Sequence, residues 1–255
     1  MTPLQPAPLD LVPLTTDGRI ATLTLNRPEA RNSLSIPVLE RLLQRTTELA
    51  QRPDLSVLLL TGEGKSFCAG MDLKAVLSDP KAPARLLSLL ADFLLALRAL
   101  PMISIAKVNG AAIGGGCGLA TVCDLAITHA DAKLGFPEVD LGVCPAVVAP
   151  WLVRKVGPGR ARRILLYGGI ISGQRALELG IVDQAVPTRE DLDAAAAETA
   201  QRLATGGPEA LRATKALLNQ LDDSLNAPLA RRSAQLSADI LATPEAQAML
   251  RAKLG

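Results

Sequence analysis

Three short stretches of this 255-residue chain combine glycine with acidic or polar residues at the ends of apolar runs: residues 62–72 (GEGKSFCAGMD), 109–118 (NGAAIGGGCG) and 136–142 (FPEVDLG). Glycine lets a backbone approach a ligand closely. A free N–H at a helix N-terminus is preorganised for developing negative charge. Two such N–H groups aimed at one point form an oxyanion hole, which suits reactions that push charge onto a carbonyl oxygen. Gly114-Gly115-Gly116 equally suits a tight turn or close helix packing, and the spacing leaves both open.

The elements that must position these stretches are readable from periodicity. Residues 19–25 (RIATLTL) alternate and are rich in β-branched side chains, which predicts a strand. Ser35 is a candidate N-cap with Pro37 in the first turn, and apolar Val38, Leu39, Leu42, Leu43 and Leu49 follow at helical spacing up to Arg52-Pro53. Residues 56–61 (SVLLLT) are a continuous apolar run, as in a strand covered on both faces. Residues 86–100 predict a helix that Pro101 ends, 103–108 a buried strand, 117–122 a buried helix and 125–128 another strand. This alternation predicts an α/β fold with mostly parallel pairing. After about Pro187 the chain turns Ala-, Leu- and Arg-rich, broken by Gly206-Gly207-Pro208 and Asn226-Ala227-Pro228. The expected division is a core over 1–195 and a helical region over 196–255.

Composition removes several function classes. Lys+Arg 27 against Asp+Glu 25 leaves a net charge of +2, so no basic patch argues for nucleic acid. Aromatics at 2% supply no stacking platform for bases. The longest apolar runs are interrupted by Asp92, Arg98 and Asp124, so no membrane span is expected. Residues 1–10 lack the basic and apolar regions of a signal peptide. Cys68, Cys117, Cys123 and Cys144 match neither a disulfide framework nor a CxxC metal pair, which suits reduced thiols in a cytoplasmic protein with no metal. His129, the one histidine, has no partner at ligand or triad spacing and reads as structural. For Trp151 and Tyr167, core packing is the expectation.

Taken together, residues 26–34 (NRPEARNSL), 67–73 (FCAGMDL), 108–116 (VNGAAIGGG), Cys123-Asp124 and Pro137-Glu138-Val139 resemble the crotonase family, the enoyl-CoA hydratases and isomerases. The blocks run in family order over residues 15–190. The segment 141–157, from Leu141-Gly142-Val143 through Trp151 to Val156-Gly157, further resembles the methylglutaconyl-CoA hydratase branch. The resemblance implies a spiral of ββα units, a C-terminal helical trimerisation region, and trimers or hexamers. It implies a coenzyme A thioester as substrate, with no separate cofactor. By position in the motifs, the N–H groups of Met71 and Gly115 would hold the thioester oxygen. The carbonyls of Ala30 and Ala69 would meet the adenine, and Arg27, Lys65 and Lys74 are candidates for the phosphates. Gly70, Asp72, Leu73, Gly114, Gly118, Pro137 and Val143 would surround the substrate, Asp72 having a structural pairing as its other reading.

One departure bears on mechanism. Two-carboxylate hydratases of this family carry one glutamate after the glycine loop and a second twenty residues later. Here those places are Gly118 and Glu138. A lone Glu138 can still hydrate a double bond through its two oxygens, and it suffices for double-bond isomerisation, where one base moves a proton. Hydration ranks first on the resemblance, isomerisation second, and acyl-CoA binding with weak or no catalysis third. Asp140 is the reserve candidate for the missing acid.

Overall fold

The computed structural model describes residues 10–72 and 82–254. Its central sheet has six strands in the order β1-β2-β3-β5-β7-β10: β1 (Leu14–Asp17), β2 (Ile20–Leu25), β3 (Val57–Gly62), β5 (Ile103–Val108), β7 (Leu125–His129) and β10 (Gln184–Val186). A second sheet of three-residue strands has the order β4-β6-β8-β9: β4 (Ser66–Cys68), β6 (Ala111–Ile113), β8 (Lys133–Gly135) and β9 (Ile170–Ser172). Each of β3, β5 and β7 thus feeds a short strand of the second sheet and then a helix. Those helices are α2 (Ala82–Ala99), α3 (Gly115–Val122) and α4 (Ala149–Val156), which completes a ββα spiral. Pairing is parallel except for β1 with β2 and β8 with β9.

The residue pattern accounts for the layers. In β2, Ala21, Leu23 and Leu25 are buried while Ile20, Thr22 and Thr24 are half-buried, the alternation expected of a sheet with one fully packed face. In β3 both faces are covered. Leu58 and Leu60 join the main core with α1 (Ile36–Ala50), while Val57 packs with Ile105, Ile127 and Val186 against α7 (Asp191–Ala204) on the other side. Ser35 stands at the N-cap of α1 but makes no side-chain capping bond. The three-residue strands, β1 and β10 fall below the length at which periodicity is legible, and sequence reading missed them. The boundary expected after residue 195 falls inside α7, whose Leu192, Ala196, Ala200 and Ala204 pack on the central sheet. By its contacts that helix belongs to the spiral.

Beyond α7, α8 (Pro208–Leu221), α9 (Ala227–Leu241) and α10 (Pro244–Leu254) follow. Helix α9 packs on α2, and α8 is pinned to the core by one buried ammonium. Lys215 is only 4% exposed; its Nζ lies 2.8 Å from Asp124 Oδ2 and donates to the Met102 carbonyl at 2.8 Å. Asp124 also accepts from the Ser104 amide and hydroxyl and from Arg98, so the structural pairing of this aspartate joins three parts of the chain. Burial pulls the Lys215 pKa down, and the Asp124 charge opposes that. Removing one partner leaves a buried charge poorly compensated. Lys215→Met should therefore cost about 3 kcal/mol of stability, read as a lower urea midpoint at unchanged m-value.

Candidate active site

Two loops meet at the C-terminal ends of β4 and β6. The first is held by buried asparagines: Asn32 Nδ2 donates to the carbonyls of Glu63 (2.9 Å) and Ser66 (2.8 Å), and Asn109 Nδ2 to those of Gly62 (2.8 Å) and Gly64 (3.0 Å). Its end is fixed by an isolated parallel bridge between Leu34 and Met71. The Leu34 amide donates to Gly70 O at 2.7 Å, and the Asp72 amide donates to Leu34 O at 2.9 Å. In such a bridge the N–H of Met71 itself faces away from Leu34. Gly70 sits at φ +89°; a Cβ there would lie 2.7 Å from Ile113 O and 3.7 Å from Gly115 N. The amides of Met71 and Gly115 are therefore neighbours across Gly70. Gly115 opens α3, so its N–H has no carbonyl to bond within the helix.

The third stretch supplies the carboxylate. Pro137 begins a 3-10 turn, Pro137–Leu141, that Gly142 closes at φ +70°. The carbonyl of Glu138 accepts from the Val143 amide at 2.8 Å, so the backbone is fixed while the side chain turns inward. A Cβ on Gly114 would come within 2.9 Å of Glu138 Oε1, which puts the carboxyl beside the triple glycine. Glu138 Oε2 is sealed from solvent and has no hydrogen-bond partner among the described residues. Burial raises the Glu138 pKa to about 7, an effect only partly offset by a backbone hydrogen bond.

Met71, Gly115, Glu138 and Val143 meet on one cavity of about 30 Å³. Its walls are otherwise mostly apolar, with Leu87 and Leu90 from α2 and Val147 and Val148 from the segment before α4. Ser237 of α9 also lines it. The α2 and α9 contributions escaped sequence reading, because they come from helices whose apolar spacing looks like ordinary core. Such an arrangement can bind an oxygen that gains charge through two backbone donors while a carboxyl moves a proton nearby.

Other candidates stand elsewhere. Gly118 does not line the cavity; a side chain there would overlap Val148 Cγ1 and lie 3.0 Å from its Cβ. The place expected for a first carboxylate is filled by hydrocarbon. Asp140 is not the missing acid: its Oδ2 accepts from the Gly169 amide at 3.0 Å, and it lines no part of the cavity. Arg27 donates to Ser33 O at 3.2 Å and sits 3.5 Å from Asp72 Oδ2. Ala30 ends a 3-10 turn with its carbonyl accepting from the Ser33 amide, and the Ala69 amide donates to Arg31 O at 3.0 Å. Lys65 is exposed beside the asparagine-held loop. Leu73 and Lys74 lie outside the described residues. Cys68 and Cys123 are buried, with burial raising both thiols to about 12, so neither offers a thiolate. Trp151 is buried as expected, with Arg154 5.2 Å above its ring, whereas Tyr167 is 86% exposed and does not join the core.

Comparison with known proteins decides the family. The model of the enoyl-CoA hydratase/isomerase family matches residues 15–249. The chain belongs to the enoyl-CoA hydratase/isomerase, or crotonase, family. Among curated relatives, the 2,3-dehydroadipyl-CoA hydratase of Escherichia coli is 35% identical over 215 residues, covering 84% of either chain. The crotonyl-CoA hydratase of Syntrophomonas wolfei is 35% identical over 207 residues, 80% of this chain and 79% of that protein. Among solved structures, an enoyl-CoA hydratase from Bacillus anthracis superposes with a TM-score of 0.79 at 32% identity, covering 89% of this chain and 90% of that one. The crotonase fold expected from the motifs is the fold observed.

Within this crotonase site, the packing of Gly118 against Val148 is a steric coupling. Gly118→Ala should destabilise the protein by about 1–3 kcal/mol through overpacking. Adding Val148→Ala should recover part of that loss, and a double-mutant cycle in urea measures the coupling.

Proposed function

We propose that this protein hydrates the double bond of an α,β-unsaturated acyl-CoA thioester, with Glu138 as the acid-base group and the amides of Met71 and Gly115 as the oxyanion hole. The observation that carries the reading is the buried Glu138 carboxyl on the cavity shared with those two amides. In the proposed reaction Glu138 takes a proton from water as the water oxygen bonds to C3. The C2=C3 electron pair moves toward C1, and charge collects on the thioester oxygen. Glu138 then returns the proton to C2, so the sum is addition of one water. Each oxyanion donor contributes about 2.7–4 kcal/mol in comparable sites, and the start of α3 adds its dipole.

Gly70 and Gly114 serve this site by leaving room for the amides and for the carboxyl, and Pro137 and Val143 by bracing the turn that carries Glu138. Gly118 leaves room for Val148. Arg27, Lys65 and the carbonyls of Ala30 and Ala69 are proposed to receive the coenzyme A portion, Arg27 while braced by Asp72. Coenzyme A enters as part of the substrate, so the reaction requires no separate cofactor. A cytoplasmic location belongs to the same proposal, its support being four cysteines that are all free; no helix among the described residues is long and apolar enough to cross a membrane. Double-bond isomerisation is the second reading, favoured by the single carboxylate.

The test is turnover of short, long, branched and carboxylated enoyl-CoA thioesters, followed for water addition and for double-bond migration. Glu138→Gln should lower the hydration rate about 10²–10⁴-fold with little change in thioester affinity. Because the ionised carboxylate must accept the first proton, wild-type kcat/KM should rise with pH, level off above about 7, and fall about tenfold per pH unit well below it. A flat profile, or a fully active Glu138→Gln protein, would reject the assignment.

Assembly into trimers or pairs of trimers belongs to the same proposal. Its support is apolar surface left open: Leu166, Tyr167 and Ile170 around the end of α5 (Pro158–Tyr167), and Leu217, Leu218 and Leu221 on α8, are all more than half exposed. Exposed large apolar side chains clustered along the chain in this way suit interaction faces. Sedimentation at micromolar concentration should give the mass of three or six chains, and a monomer would reject the claim.

A further inference from the structure

At about 30 Å³ the cavity has room for one or two waters, which need two to four polar partners to be held. Glu138 supplies one such partner, because its sealed Oε2 has no protein hydrogen bond among the described residues. In a two-carboxylate site a second acid would face the same water. Here residue 118 has no side chain, and Val148 closes that wall with methyl groups. The amides of Met71 and Gly115 are assigned to the thioester oxygen. Cys144 also lines the cavity, but sulfur is a weak hydrogen-bonding group.

Among the described residues, the remaining polar side chain on the cavity is Ser237. It is 1% exposed, lines the same cavity, and donates its hydroxyl proton to the Cys144 carbonyl at 2.8 Å. With the proton committed there, Oγ retains two lone pairs and can only accept. Helix α9 is held in place by its packing on α2, and neighbouring Ala234, Ala238 and Leu241 are buried. The hydroxyl is therefore fixed by both its helix and its bond.

We propose that Ser237 Oγ is the second anchor of the reacting water, standing in for the carboxylate absent at Gly118. The inference rests on the hydratase reading above. Water gives one O–H to Glu138 and the other to Ser237 Oγ, which leaves an oxygen lone pair directed at C3. As the C3–O bond forms, the O–H toward Glu138 breaks and its proton passes to that carboxylate. The proton facing Ser237 stays on oxygen as the new hydroxyl. Ser237 orients and does not titrate.

This assignment separates water addition from proton transfer at C2. Exchange of the α-protons of butyryl-CoA with deuterated solvent needs Glu138 and the oxyanion donors but no attacking water. Ser237→Ala should lower kcat for crotonyl-CoA hydration about 10- to 100-fold, the scale of one lost orienting hydrogen bond. Its KM and its rate of α-proton exchange should stay within about twofold of wild type. Ser237→Gly, which removes the hydroxyl without adding volume, should behave alike, and Ser237→Thr should restore most of the hydration rate. Exchange measured on the same samples reports that the site is intact. If hydration and exchange fall together, Ser237 is only a strut for residues 143–145 and the proposal is overturned. Undiminished hydration by Ser237→Ala overturns it as well. If wild type exchanges α-protons yet adds water to no enoyl-CoA, the hydratase reading fails first and this inference with it.

Discussion

Backbone-to-backbone contact between two loops governs this molecule. A Cβ at Gly116 would overlap the Cys68 carbonyl oxygen, one at Gly110 would overlap that of Lys65, and one at Gly70 would lie 2.7 Å from that of Ile113. No side chain larger than hydrogen fits between the loops, so the second sheet can close only on glycine. That closure makes the amides of Met71 and Gly115 neighbours. The rest of the spiral maintains it: β3, β5 and β7 run parallel and in register, so their C-terminal ends deliver the successive loops to one side.

The carboxylate depends on the same closeness. Glu138 sits against Gly114 because Gly114 has no Cβ, and its burial there has two effects of opposite sign for the protein. Desolvation makes the charged form costly, which taxes stability at neutral pH. It also brings the pKa to about 7, where a carboxyl exchanges protons most usefully.

The helical tail is tied to the rest of the chain in three ways. Lys215 pairs with Asp124 within the core, and α9 places Ser237 on the cavity that Glu138 lines while packing on α2. At the far end, Met249 of α10 packs against Gly142, which closes the turn carrying Glu138. The tail therefore bears on the position of groups about ninety or more residues earlier in the chain.

Much of this was legible in the residues themselves. A continuous apolar run marked β3 because a strand buried on both faces admits no polar alternation. The ordered motifs around Asn32, Gly70, Gly115 and Glu138 marked the family because each glycine or amide does a local job, which leaves its trace in local sequence. The three-residue strands were invisible, since their pairing comes from neighbours far along the chain and not from their own periodicity. Gly118 alone could not tell that Val148 fills the space beside it. Ser237 carried no signal either: on a helix, a serine among small residues is indistinguishable from packing until another element's carbonyl and cavity are set against it. What neighbouring residues dictate by their own conformational freedom, the sequence determined; which side chains share one small volume was decided only by the packing of helices α2 and α9 over the glycine loops.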